Sequence, residues 1–132
     1  MAEKFDPTAW APRAQAALRF ITALLFIGHG LVKLLGFPPG AAPGQVPLAS
    51  LFGVAAILEV VGGALVAVGL FTRPVAFLLS GQMAVAYFMM HAPGSVFPVL
   101  NGGEPAILFC FIFLFLAAAG PGAWSVDARR RG

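Results

Sequence analysis

The sequence predicts an all-α integral membrane protein, a bundle of four transmembrane helices, and two observations carry that reading. The first is composition: of 132 residues, 60% are hydrophobic and only 10% charged, with a mean hydropathy of +0.92, too few charges to clothe a soluble domain. The second is arrangement. Apolar runs of about 20 residues, the length that carries a helix across roughly 30 Å of hydrocarbon, alternate with Pro/Gly-rich breaks over nearly the whole chain. None of the runs shows the two-residue alternation of a membrane β-strand, so helices are the spanning element.

The expected elements follow in order. The first span covers about 16–35. It is too long for a signal-peptide core, follows a mixed-charge start and lacks a small-residue cleavage pattern, so it is read as a permanent helix. The stretch "GFPPGAAPGQVP" ends it, because its prolines and glycines cannot continue a helix. The second span covers about 48–71. After the tight turn "TRP", where Pro74 suits a first helical turn, the third covers about 74–91. The fourth, about 104–120, carries "FCFIFLF" and stops at "GPG". Residues 1–13 and 123–132 are left as tails, and the whole is one domain.

Orientation is read from the basic residues, which are retained on the cytoplasmic side. With an even number of spans both ends of the chain share one side. That side holds Lys4, Arg13, Arg19, Arg73, Arg129, Arg130 and Arg131, against Lys33 alone on the other, which predicts N-in, C-in. Trp10 and Trp124 fit interfacial anchors on the same side. The terminal "RRR" reads as a headgroup contact and topology signal rather than a nucleic-acid site.

Ionisable residues inside hydrocarbon are costly and mark functional sites. Counting about 1.5 Å of rise per residue, Glu59 falls near the middle of the second span, with His29 and Lys33 in the outer half of the first. His91 ends the third span at the outer face, and Asn101 and Glu104 open the fourth at a similar level. These six residues are the candidates for an outer-half pocket that exchanges protons. Gly62 and Gly63, three and four residues after Glu59, are helix-packing positions that let a neighbour approach closely. Gly28 and Gly30 thin the helix wall beside His29.

Each residue has a plainer reading. The cluster can be a satisfied polar knot holding short helices in register. Lys33 can snorkel to headgroups, and "NGGE" has the capping-box spacing from Asn101 to Glu104. Gln82 lies out of phase with His91, whereas Met83 and Tyr87 share its face. No ligand spacing such as HxxxH supports a metal, and nothing marks a haem pocket. Cys110 is the one cysteine, so no internal disulfide can cycle, and no phosphate-binding or nucleophile motif is present.

The succession "HGLVKL", "ILEVVGGALVAVGLFTRP", "HAPGSVFPVLNGGEPA" and "GPGAWSVD" resembles the DoxX family of small four-helix bacterial membrane proteins over about residues 14–127. The matching positions are His29, Lys33, Glu59, Gly63, Arg73, Asn101, Gly102, Gly103, Glu104 and Asp127. The resemblance implies a multi-pass protein of the bacterial inner membrane, an oxidoreductase or a subunit of one, linked to quinone-dependent oxidation of sulfur compounds or to oxidase assemblies. It also implies other membrane or redox subunits, or further copies of the chain, as partners beside the lipid bilayer. Combined with the residues, it leads to an outer pocket for a quinone headgroup or small anion. The alternative is a non-catalytic accessory subunit of a larger respiratory or photosynthetic complex.

Overall fold

The computed structural model describes residues 4–131; residues 1–3 and 132, the extremities of the two expected tails, lie outside them. The described residues are helical with no strand: α1 Pro7–Leu35, α2 Leu51–Val68, α3 Thr72–Ala86, α4 Pro98–Asn101, α5 Glu104–Ala119 and α6 Val126–Arg131. A π-helical turn, Tyr87–His91, and a 3-10 turn, Ala92–Gly94, prolong α3. Three helical stretches, Pro7–Leu35, Leu51–Val68 and Thr72–Gly94, are long and apolar enough to cross a membrane, and α5 is a shorter apolar helix of 16 residues.

Local chemistry sets the ends. Asp6 caps α1 by accepting from the Thr8 N–H at 3.0 Å, with Pro7 at the first helical position. The first helix therefore starts at Pro7, well before the expected 16, and takes in half of the presumed N-terminal tail, with Pro12 inside it. Apolar periodicity could not show this, because the added turns are mixed in polarity. Ser50 caps α2 through its hydroxyl, which accepts from Gly53 N–H at 3.1 Å. Gly36 and Gly69, at φ of 67° and 72°, stop α1 and α2 in the left-handed backbone that glycine adopts without steric cost. The second helix is thus shorter at both ends than 48–71, since Ser50 and Gly69 decide its limits rather than the apolar residues flanking them.

Packing joins α1 to α2 and α3 to α5 most extensively, α2 meets α3, and α1 touches α5 only sparsely. The bundle's core is Ala23, Phe26, Val66, Ala76, Leu79, Met83, Phe109, Phe113 and Leu116. Phe26 meets Phe109 and Phe113 edge-on at 5.4 and 4.9 Å between ring centres. Gly62 and Gly63 serve different neighbours: a Cβ on Gly62 would lie 2.9 Å from Leu79 of α3, and one on Gly63 2.6 Å from Ile27 of α1. Adjacent glycines thus let α2 sit close to helices on two sides at once.

One end of the bundle, here the terminal end, carries residues 4–16, the α2–α3 turn and α6. The distal end carries residues 36–50 and 92–103.

Candidate functional site

At the distal half, α1 and α2 bring two candidates into direct contact. Lys33 Nζ donates to both Glu59 carboxylate oxygens, at 2.6 and 2.7 Å. Glu59 is 2% exposed, and this is the one ion pair among the described residues. The approach depends on Gly30, where a Cβ would stand 2.7 Å from Val60, 3.0 Å from the Ala56 carbonyl oxygen and 3.0 Å from Glu59 Cβ. Two opposite charges withdrawn from water hold each other with a strength that surface pairs lack.

His29, one turn before Lys33, does not join that pair. It is exposed on the outer surface of α1 and stands perpendicular to the Phe109 ring of α5 at 5.7 Å. It therefore lies at the thinly packed seam between α1 and α5, beside the Phe26, Phe109 and Phe113 cluster.

The remaining candidates form a second knot around the π-helical turn. The carbonyl of Tyr87 accepts from Ala92 N–H, the wider spacing of a π turn, and Tyr87 stacks on His91 at 6.3 Å with 28° between planes. Such turns recur at functional sites. Asn101 Nδ2 donates to Tyr87 Oη at 3.1 Å and to Ser95 O at 3.0 Å, while its Oδ1 accepts from Gly103 N–H at 2.8 Å. His91 Nδ1 lies 3.1 Å from the Asn101 carbonyl oxygen. Because a carbonyl only accepts, that bond puts the proton on Nδ1 and leaves Nε2 as the basic nitrogen. Gly103 makes room for the Tyr87 ring, which a Cβ there would meet at 2.6 Å.

The capping box expected at "NGGE" is not formed. Gly103 caps α5, Glu104 is its first residue and is exposed, and Asn101 is occupied with Tyr87 and Ser95. Spacing alone cannot show that Asn101 closes the preceding short helix. The candidates thus divide into a Lys33–Glu59 pair, a His91–Asn101 knot with Tyr87, and His29 and Glu104 standing apart from both.

The terminal end holds groups whose part the sequence reading missed. Arg19, read as a flanking charge, is 3% exposed. Its guanidinium donates to the carbonyl of Pro121, to that of Ala123 at 3.1 Å and to that of Trp124 at 3.1 Å. Gln15 Nε2 donates to Gly120 O at 2.6 Å and Arg73 to Ala118 O. These donors satisfy carbonyls at and beyond the end of α5, which have no partner within the helix. Asp127 accepts from the N–H groups of Phe71 and Thr72, both at 2.9 Å, and so closes the start of α3. Partial burial works to raise the Asp127 pKa, but the N–H groups of Thr72 and Phe71 outweigh it and hold the carboxyl below its usual value. The signal in the sequence was a long, strongly hydrogen-bonding cation with only apolar neighbours; its partners, over a hundred residues away, were not readable.

Spanning helices packed around a buried ion pair define a multi-pass helical membrane protein. Within that class the DoxX family model matches residues 14–92, and the chain belongs to the DoxX family. The match ends one residue beyond His91, short of the resemblance traced to residue 127, but similarity to individual relatives runs further. An uncharacterized protein of Haemophilus influenzae is 41% identical over 122 residues, 89% of this chain and 91% of its own length. The inner membrane protein YphA of Escherichia coli is 31% identical, covering 95% of this chain and 96% of its own. An uncharacterized membrane protein of Mycobacterium tuberculosis is 26% identical over 92% and 83%. No solved structure matches the chain.

Proposed function

We propose that the protein is a membrane subunit of quinone-linked redox chemistry, with both ends of the chain in the cytoplasm and the distal half of the bundle receiving a quinone headgroup or small anion. The observation that carries the reading is His29. A titratable side chain exposed on a membrane-spanning helix, edge-on to Phe109 at 5.7 Å and one turn from an ion pair, offers a hydrogen-bond donor beside an aromatic wall. A flat, uncharged ring with an apolar tail fits those surroundings.

Quinone reduction takes up two electrons and two protons. In this reading His29 donates a hydrogen bond to a ring carbonyl oxygen. Nε2 of His91, whose Nδ1 faces the Asn101 carbonyl, exchanges protons with water at the distal face, while Lys33 fixes Glu59. The chain's own residues handle protons alone, so the electrons come from a partner subunit bearing a flavin, haem or comparable carrier.

A second reading, a non-catalytic accessory subunit, is favoured by a specific feature: Lys33 and Glu59 satisfy each other through both carboxylate oxygens and leave little for a ligand. One experiment separates the two. Purify the wild type, His29→Ala and Glu59→Gln from native membranes in mild detergent, quantify co-purifying quinone by mass spectrometry, and record melting temperatures. The quinone reading expects both variants to lose quinone, His29→Ala with an unchanged melting temperature. Equal quinone in all three, with stability lost in Glu59→Gln alone, would establish the accessory role instead.

A further inference from the structure

Two open grooves meet at Trp124 on the terminal end of the bundle. One, about 690 Å³, is lined by Val68 and Arg129, among others, and the other, about 380 Å³, by residues including Ala16, Phe20 and Ala67. Arg129 lines the first, and the second runs along Ala16, Phe20 and Ala67 of α1 and α2 with Arg19 in its wall. Cations and apolar flanks around one shared indole match an amphiphile with an acidic head.

The backbone adds an independent observation. Trp124 has φ of 51°, a left-handed conformation that is strained for a non-glycine residue. Its indole is nevertheless 73% exposed, so no burial within the bundle offsets that strain, and its carbonyl is tied to the buried Arg19. The fold holds an aromatic ring outward, in a strained conformation, for something else to cover.

Charge selects the occupant. Arg13 lies over the Trp10 ring at 5.1 Å and Arg130 over Phe71 at 5.3 Å. Among the described residues Arg129 has neither a ring nor a carboxylate partner and lines the groove beside Trp124.

We propose that this groove binds one anionic phospholipid, its phosphate on Arg129 beside the Trp124 indole and an acyl chain along Ala16, Phe20 and Ala67. The site is at the opposite end of the bundle from His29 and stands independently of the quinone reading.

The test uses the full chain carrying Trp10→Phe, so that Trp124 is the sole tryptophan, in detergent micelles. Its fluorescence is titrated with phosphatidylglycerol or phosphatidylcholine brominated near the headgroup end of the chains. Half-quenching is expected at an about fivefold lower mole fraction of the anionic lipid, the effect of one arginine near an anionic phosphate. Arg129→Gln is expected to abolish that preference, and Arg129→Lys and Arg131→Gln to retain it, with inorganic phosphate not competing. Equal quenching by both lipids, equal loss in Arg129→Gln and Arg131→Gln, or stronger quenching by a short-tailed neutral quinone than by the anionic lipid would each overturn the proposal.

Discussion

Glu59 and Lys33 illustrate how little a buried charge pair tolerates halfway changes. Glu59→Ala leaves an ammonium with no counter-ion in a half-closed site, and a stability loss of about 3–5 kcal/mol is expected, measured by denaturant or thermal unfolding in detergent. Replacing both, Lys33→Met with Glu59→Leu, is expected to recover most of that loss or exceed wild-type stability. The double variant therefore measures whether the pair exists for strength or for chemistry. Gly30→Ala tests the same contact through shape. Despite gaining about 1 kcal/mol of helix propensity, it pushes a methyl against the Ala56 carbonyl and Val60, so a net loss of about 1–3 kcal/mol is expected, read as a lower melting temperature. At this scale the sequence was informative for Glu59 and not for the equally buried Arg19. Glu59 in an unbroken apolar run needs a partner, for which the sequence offers both Lys33 and His29 on the first helix, and the fold selects Lys33. His29 was less legible, because a residue four positions from Lys33 on an α-helix shares its general side of the helix without sharing its partner.

Helices were legible from apolar length, but their ends less so: the Pro/Gly stretch that opens at Gly36 marks the end of α1, whereas Ser50 and Gly69 cap α2 inside the apolar run read as 48–71. The start of α3 is further hidden, since its cap is Asp127, more than fifty residues away in sequence. Because the pKa of Asp127 is lowered in the folded protein, its contribution is fully present above the ordinary carboxylate range and is lost as pH falls through the lowered value. Asp127→Asn is expected to cost about 1 kcal/mol near neutral pH, the usual worth of a capping side chain, and to show a smaller drop in melting temperature on acidification below about pH 4 than the wild type. Parallel melting curves against pH check both. The π turn at Tyr87–His91 was also hidden. Its stacking of Tyr87 on His91 departs from an α-register only in the backbone, and residue types do not record that.

For the whole molecule, the uneven distribution of basic residues leads to an orientation that can be measured in living cells. With the native Cys110 changed to Ser, a cysteine placed at Ala42 in the distal segment is expected to react with a membrane-impermeant maleimide in intact cells. One placed at Ala128 is expected to react only after the membrane is permeabilised, and the reverse pattern would refute the proposed topology. The Arg19 contacts carry a further consequence, one of timing. During synthesis Arg19 enters the bilayer 102 to 105 residues ahead of the carbonyls that receive it. Until they are made, the first hairpin carries a cation without the three carbonyls that accept from it in the finished fold. A released chain that ends at Gly120 keeps every spanning helix but lacks the carbonyls of Pro121, Ala123 and Trp124, and a pulse-chase in living cells is expected to show it shorter-lived than the wild type.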